Sequence, residues 1–237
     1  MKKIVGILGG MGPEATAHFF SLIIKHTRAE KDQDHIPVII YNNPKIPPRT
    51  DALLQKGPSP VPLLRQGIKT LERAGADFIV VPCVTVHAFL SQIAAKEKTR
   101  LLNILDETLT YTQKKMPELS RAGLIASTGT VKSEIFDQTF SRAGITILKP
   151  SPKEQEKVME AIFGKKGIKA GFTSGPPKKL ILKAAHRLIQ RGAEAVIAGC
   201  TEVPLVLQQG DLPVPLIEPL RIAAEASIIR AGYKVKD

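Results

Sequence analysis

Short apolar runs alternate with longer stretches of helical period along this chain. Lys3-Ile-Val-Gly-Ile-Leu-Gly-Gly-Met-Gly12 reads as a buried strand closing in a glycine-rich turn, and Arg121-Ala-Gly-Leu-Ile-Ala-Ser-Thr-Gly-Thr130 reads the same way. Further strands are expected at 37–41, 101–104, 146–148 and 214–217, and helices at 15–29, 62–74, 153–163 and 180–191. Strand followed by helix, repeated, implies parallel sheets and an α/β fold.

The pattern occurs twice. Arg73-Ala-Gly-Ala-Asp-Phe-Ile-Val-Val-Pro-Cys83 and Arg191-Gly-Ala-Glu-Ala-Val-Ile-Ala-Gly-Cys200 each run from a helix-like stretch through a β-branched run to a cysteine. The two glycine-rich turns stand about 118 residues apart and the two cysteines 117, the spacing a duplication leaves. The expected division is a first α/β domain over 1–103 plus 212–237 and a second over 104–211, with a helix at 219–231 returning to the first. Each cysteine should sit where a parallel strand opens into a loop, the place where such folds put chemistry. Two copies folded face to face would bring the thiols to opposite sides of one pocket, an arrangement suited to moving a proton across a carbon atom.

Composition narrows the setting. The chain has 237 residues, enough to bury an ordinary core, and 43% are hydrophobic with no run of membrane-spanning length. Its start reaches glycine too soon for a signal peptide, so a cytoplasmic protein is expected, with its two cysteines reduced rather than paired. Lys and Arg number 34 against 22 Asp and Glu, but the bases are dispersed and there is no Trp to interleave, so a solvated basic surface is expected rather than a nucleic-acid partner.

Gly10-x-Gly12-x-x-Ala15 fits a relaxed dinucleotide fingerprint. That reading needs an acid at the end of the second strand, where Tyr41-Asn42-Asn43-Pro44 offers none; Asp32 and Asp34 lie earlier. The better reading is a turn whose amides face a carboxylate at a helix N-terminus, with a plain strand-to-helix turn as the structural alternative.

Five segments, in order, resemble the cofactor-independent aspartate/glutamate racemases, the aspartate enzymes most. They are Gly9-Gly-Met-Gly-Pro-Glu-Ala-Thr16, residues 32–50 ending in Asn42-Asn-Pro-Lys-Ile-Pro-Pro-Arg-Thr50, Pro82-Cys-Val-Thr-Val-His87, Ser127-Thr-Gly-Thr130 and Ala198-Gly-Cys-Thr-Glu-Val203. The resemblance implies two similar parallel-sheet α/β domains related by a pseudo-twofold axis, a site in the cleft between them, and no pyridoxal phosphate, metal or nucleotide. It implies a small dicarboxylic amino acid as substrate and a homodimer, with no membrane partner. Cys83 and Cys200 take the roles of the two bases, one abstracting the α-proton and the other supplying one to the opposite face. One must then be a thiolate, whereas a free thiol has a pKa of about 8.5, and helix N-termini after each strand would help.

For the two carboxylates the resemblance offers Arg49, in a proline-stiffened loop, and Lys169, with Lys166 as the fallback. A guanidinium grips a carboxylate through two parallel hydrogen bonds. The remaining candidate contacts are Met11, Gly12, Asn43, Val84, Thr85, Thr128, Thr130, Thr201 and Glu202. The threonines serve equally as helix caps, and Glu202 as support for Cys200 or for the substrate ammonium. His87 reads as a packed histidine rather than a base. Val84 departs from the asparagine usual in the family and has no side-chain hydrogen bond to give. Glutamate, a broad substrate range, or amino-acid binding without catalysis therefore stand as alternatives to aspartate racemisation.

Overall fold

The computed structural model describes residues 2–94 and 100–236. They form two compact units, one of residues 1–107 with 220–237 and the other of residues 108–219. The first holds strands β1 (Val5–Gly9), β2 (Val38–Asn42), β3 (Phe78–Val80) and β4 (Arg100–Leu101), in spatial order β2-β1-β3-β4 and all parallel. Its helices are α1 (Pro13–His26), α2 (Arg49–Leu53), α3 (Val61–Arg73) and α4 (Leu90–Ala94). Helix α5 (Ile104–Lys115) leads across the boundary into the second unit.

The second unit repeats the plan. Strands β5 (Arg121–Ile125), β6 (Thr146–Leu148), β7 (Ala195–Ala198) and β8 (Leu216–Ile217) run parallel in the order β6-β5-β7-β8. Its helices are α6 (Thr128–Lys132), α7 (Ile135–Phe140), α8 (Pro152–Phe163) and α9 (Pro176–Gln190). Helix α10 (Pro219–Arg230) returns the chain to the first unit, where Lys3 N–H donates to Ala231 O at 3.1 Å and Thr27 bridges Val235 antiparallel.

The repetition extends to the packing. In β1 a Cβ on Gly6 would lie 2.9 Å from Ala76 Cβ and 3.4 Å from Leu71 Cδ1; in β5 one on Gly123 would lie 2.9 Å from Leu188 Cβ and 3.2 Å from Ala193 Cβ. Gly6, Leu71, Ala76 and Cys83 recur as Gly123, Leu188, Ala193 and Cys200, all at one offset of 117 residues. The missing side chain lets the helix that leads into the cysteine-bearing strand, α3 or α9, lie close on the central strand. That helix is amphipathic in both units: Val61, Leu64, Ile68 and Leu71 of α3, and Ile181, Ala184, Ala185 and Leu188 of α9, are buried at three- and four-residue spacing. Each fully buried leucine or isoleucine contributes about 1.5–3 kcal/mol relative to exposure.

Several boundaries differ from expectation. The strand expected at 101–104 covers only Arg100–Leu101; Ile104 opens α5, because Asn103 Oδ1 accepts from Leu105 N at 3.0 Å and caps the helix. Helix α1 stops at His26 rather than running to 29, where Thr27 Oγ1 bonds back to Ile23 O at 2.6 Å and the chain turns to meet the C-terminal segment. Arg49 is not in a loop but opens α2, behind Pro48. Helix α9 starts at Pro176, four residues before the expected 180, since proline is suited to a first helical turn.

Candidate active site

In each sheet the chain leaves the inner strand for one neighbour and later returns to the other side. The loops after β1 and β3, and those after β5 and β7, therefore flank a topological switch point. Both cysteines lie there, Cys83 three residues past β3 and Cys200 two past β7. Each is packed into the apolar core of its own unit, 5% and 7% exposed, and neither is in a disulfide.

The turn after β1 is held by its own helix. Thr16 Oγ1 accepts from Gly10 N–H at 3.0 Å and donates to Gly12 O at 3.0 Å, so the glycine turn is tied to the first turn of α1. Gly10, at φ +99°, packs directly on the Asn43 backbone, and Asn43 N–H donates to Gly9 O at 3.2 Å. The Asn43 side chain is turned onto its own loop, Oδ1 accepting from Lys45 N–H at 3.0 Å. Arg49 Nη2 donates to Met11 O at 3.0 Å, while Nη1 faces Pro47 O at 3.2 Å and Ile46 O at 3.4 Å. Its buried Nε has no acceptor among the described residues. Arg49, Met11, half-buried Gly12 and Asn43 are thus brought together, although Met11 is 3% exposed and offers backbone rather than side chain.

The helix N-terminus expected behind Cys83 is a 3-10 segment, Val84–Phe89. Val84 is 2% and Thr85 9% exposed. His87 folds back beneath them. Its Nδ1 faces Cys83 O and Val84 O, both at 3.2 Å, and so carries the proton, while Nε2 accepts from Ile104 N–H at 3.1 Å. With both nitrogens engaged the ring positions the cysteine loop against the start of α5. Burial drives its pKa down to about 4, against the opposing pull of the Cys83, Val84 and Leu102 backbone and of Asp106.

The neutral ring makes stability depend on pH. Above about 6.5 the histidine is neutral both folded and unfolded; as pH falls through 6.5 toward about 4 the unfolded chain takes up a proton that the folded chain refuses. Stability should fall across that window by about 3 kcal/mol from this group. Urea unfolding from pH 7.5 to 4 checks it: the advantage of wild type over His87→Gln should shrink as pH drops, and a constant gap would contradict a buried neutral ring.

In the second unit the turn after β5 ends in Ser127, the N-cap of α6. Its Oγ accepts from Thr130 N–H at 3.4 Å and lies 3.2 Å from Thr130 Oγ1. The cap is therefore Ser127, and Thr130, 1% exposed, is the residue it caps rather than a capping threonine. Thr128 is half-buried, its N–H directed at Met159 Sδ at 3.2 Å and its Oγ1 accepting from Gln155 Nε2 at 3.2 Å. Gln155 Nε2 also donates to Ala126 O at 3.0 Å. Nothing marked Gln155 in the sequence, since it lies 27 residues beyond the threonine it holds.

Cys200 stands in a charged setting. Its Sγ donates to Glu202 Oε2 at 2.9 Å, Thr201 Oγ1 donates to the same oxygen at 3.3 Å, and Lys169 Nζ pairs with Glu202 Oε1. Lys169, in a 3-10 turn over Ile168–Ala170, also lies over the Phe163 ring at 5.4 Å; Lys166 is exposed. Cys200, Thr201, Glu202 and Lys169 are thus brought together, with the lysine on a protein carboxylate. Burial pushes the Cys200 thiol well above the usual range, Glu202 adds to the rise and Lys169 opposes it. The helix expected to ease deprotonation is again only a 3-10 turn, Val203–Leu205. Among the described residues no cluster of three or more His, Cys, Asp or Glu side chains is placed to hold a metal ion.

Comparison with known proteins bears on this arrangement. The chain is 31% identical to the Picrophilus torridus aspartate racemase, with a TM-score of 0.88 over 99% of this chain and 96% of that one. An aspartate racemase homologue from Pyrococcus horikoshii is 25% identical, with a TM-score of 0.78 over 98% and 100%. The broad specificity amino-acid racemase RacX of Bacillus subtilis is 23% identical over 232 residues, 95% of this chain and 96% of that protein. With its residues 8–227 matching the Asp/Glu/Hydantoin racemase pattern, the chain belongs to that family.

Proposed function

We propose that this member of the racemase family interconverts L- and D-aspartate through a two-base transfer at Cα, Cys83 and Cys200 each serving one face. The observation that carries the proposal is the pair of single cysteines at corresponding switch points of two sheets with one strand order. In the reaction a thiolate takes the Cα proton, the C–H electron pair stays on carbon, and the other thiol delivers its proton from the opposite side. Neither step calls for pyridoxal phosphate or a metal. Cys200 rests as the thiol, since its burial and its hydrogen bond to Glu202 both favour the protonated form.

Arg49 is the candidate for one substrate carboxylate, supported by its unsatisfied Nε and by three backbone carbonyls that fix the guanidinium. Lys169 would take the other only by sharing or leaving Glu202. Thr85, Thr128 and Thr201, with the backbone at Met11 and Gly12, supply donors for the carbanion and carboxylates. The working form in this reading is a cytoplasmic homodimer.

A second reading, broad substrate range, rests on Val84 and on the similarity to RacX. A chiral assay over aspartate, glutamate, alanine and larger amino acids separates the two. A kcat/KM for aspartate at least tenfold above every other supports the first reading, while comparable values across the panel replace it with the second; Val84→Asn should then shift preference toward aspartate.

A further inference from the structure

Among the described residues Glu202 carries the most deeply buried carboxylate, 3% exposed. A carboxylate taken from water costs several kcal/mol unless its oxygens are satisfied. A purely structural ion pair would need only Oε1, which meets Lys169. The other oxygen is spent on Cys200 Sγ, 2.9 Å away, and on Thr201 Oγ1. To act as a base Cys200 must lose its proton, and with Glu202 ionised that would set two anions in contact inside the protein. Like charges at such a distance do not both form; the pair holds one proton between them.

Resting on the two-cysteine reading, we propose that Glu202 is a catalytic residue that holds the proton of Cys200 whenever Cys200 serves as the base. The Sγ–H bond breaks with its electron pair left on sulphur, and the proton forms an O–H bond at Oε2. The thiolate then takes the Cα proton, and Cys83 gives its own proton to the other face. Glu202 ends as a carboxylic acid and Cys83 as a thiolate; proton exchange with solvent resets them. Lys169 occupies Oε1, which leaves Oε2 as the oxygen that faces Cys200 Sγ and can receive its proton.

The two enantiomers have equal energy, so any variant must slow racemisation equally in both senses. The test therefore reads Cα hydrogen exchange with retention, measured by proton NMR in deuterium oxide on each enantiomer separately. The substrate is whichever of aspartate, glutamate or alanine the wild type exchanges fastest, and Cys83→Ala identifies the enantiomer that Cys200 serves. In Glu202→Gln, exchange of that enantiomer should fall roughly 10²-fold while the other stays within a few-fold of wild type. Glu202→Asp, which draws the carboxylate back but still offers Lys169 a partner, should show the same one-sided loss and carries the comparison if Glu202→Gln loses its thermal unfolding transition. Equal loss for both enantiomers, or loss for neither, overturns the assignment. A wild type that exchanges no amino acid overturns the racemase reading itself, a failure visible before any variant is made.

Discussion

Racemisation falls roughly 10²–10⁴-fold or below detection in both Cys83→Ala and Cys200→Ala, while each variant still exchanges the Cα hydrogen of one enantiomer and not of the other. On the proposed mechanism each substitution removes one of the two sulphurs that exchange a proton with Cα and leaves the other in place. Loss of one sulphur from a buried site costs on the order of 1 kcal/mol, so both variants should remain folded. A chiral assay and deuterium incorporation on purified variants check the expectation. A Cys200→Ala protein that still racemises would assign the second proton to another group, and one that exchanges both enantiomers would place both abstractions on Cys83.

The second large effect is on the fold. A Cβ added at Gly10 would lie 2.3 Å from the Asn43 carbonyl carbon and 2.4 Å from its oxygen, at a φ of +99° that side chains rarely adopt. Backbone strain and overpacking add, so Gly10→Ala should cost about 3 kcal/mol or more. Gly75 separates the two terms: its φ is +92° but nothing lies within 4 Å, and Gly75→Ala should cost only about 1 kcal/mol. Urea unfolding of both variants measures the difference. The damage at Gly10 reaches the proposed Arg49 carboxylate site as well, because the Asn43 segment leads into Arg49, and Arg49 is tied to Met11 O on the far side of the same turn. A Gly10→Ala protein as stable as Gly75→Ala would contradict this packing.

The sequence shows the parallel sheets and the cysteine positions because these rest on local signals. Apolar runs end in glycine turns, and the same residue types return at one offset. The helices α5 and α7 carry weaker signals. In α5 three threonines, Thr108, Thr110 and Thr112, blur the helical period, and in α7 only six residues are available to show one. Arg49 reads as loop because two prolines precede it, although it in fact opens a short helix for which Pro48 is the N-cap. The long-range partnerships have no local signature. Lys169 meets Glu202 across 33 residues, and Ile104 N–H meets His87 across 17. Lys169 could be matched to a substrate lysine, but no spacing rule assigns it a protein carboxylate first. The difference matters for the proposed chemistry, since it sets the lysine on the carboxylate that accepts from Cys200 Sγ.

One measurement tests the two-base transfer most directly. Wild-type protein is incubated with L-aspartate in deuterium oxide and quenched early, and both enantiomers are separated and examined for hydrogen at Cα. Two opposed thiols predict D-aspartate carrying deuterium at Cα while the remaining L-aspartate is still largely protiated, because the proton delivered comes from a cysteine already exchanged with solvent. Early D-aspartate that retains the substrate's own proton would mean a single base serves both faces, and no D-aspartate at all would contradict the assigned reaction.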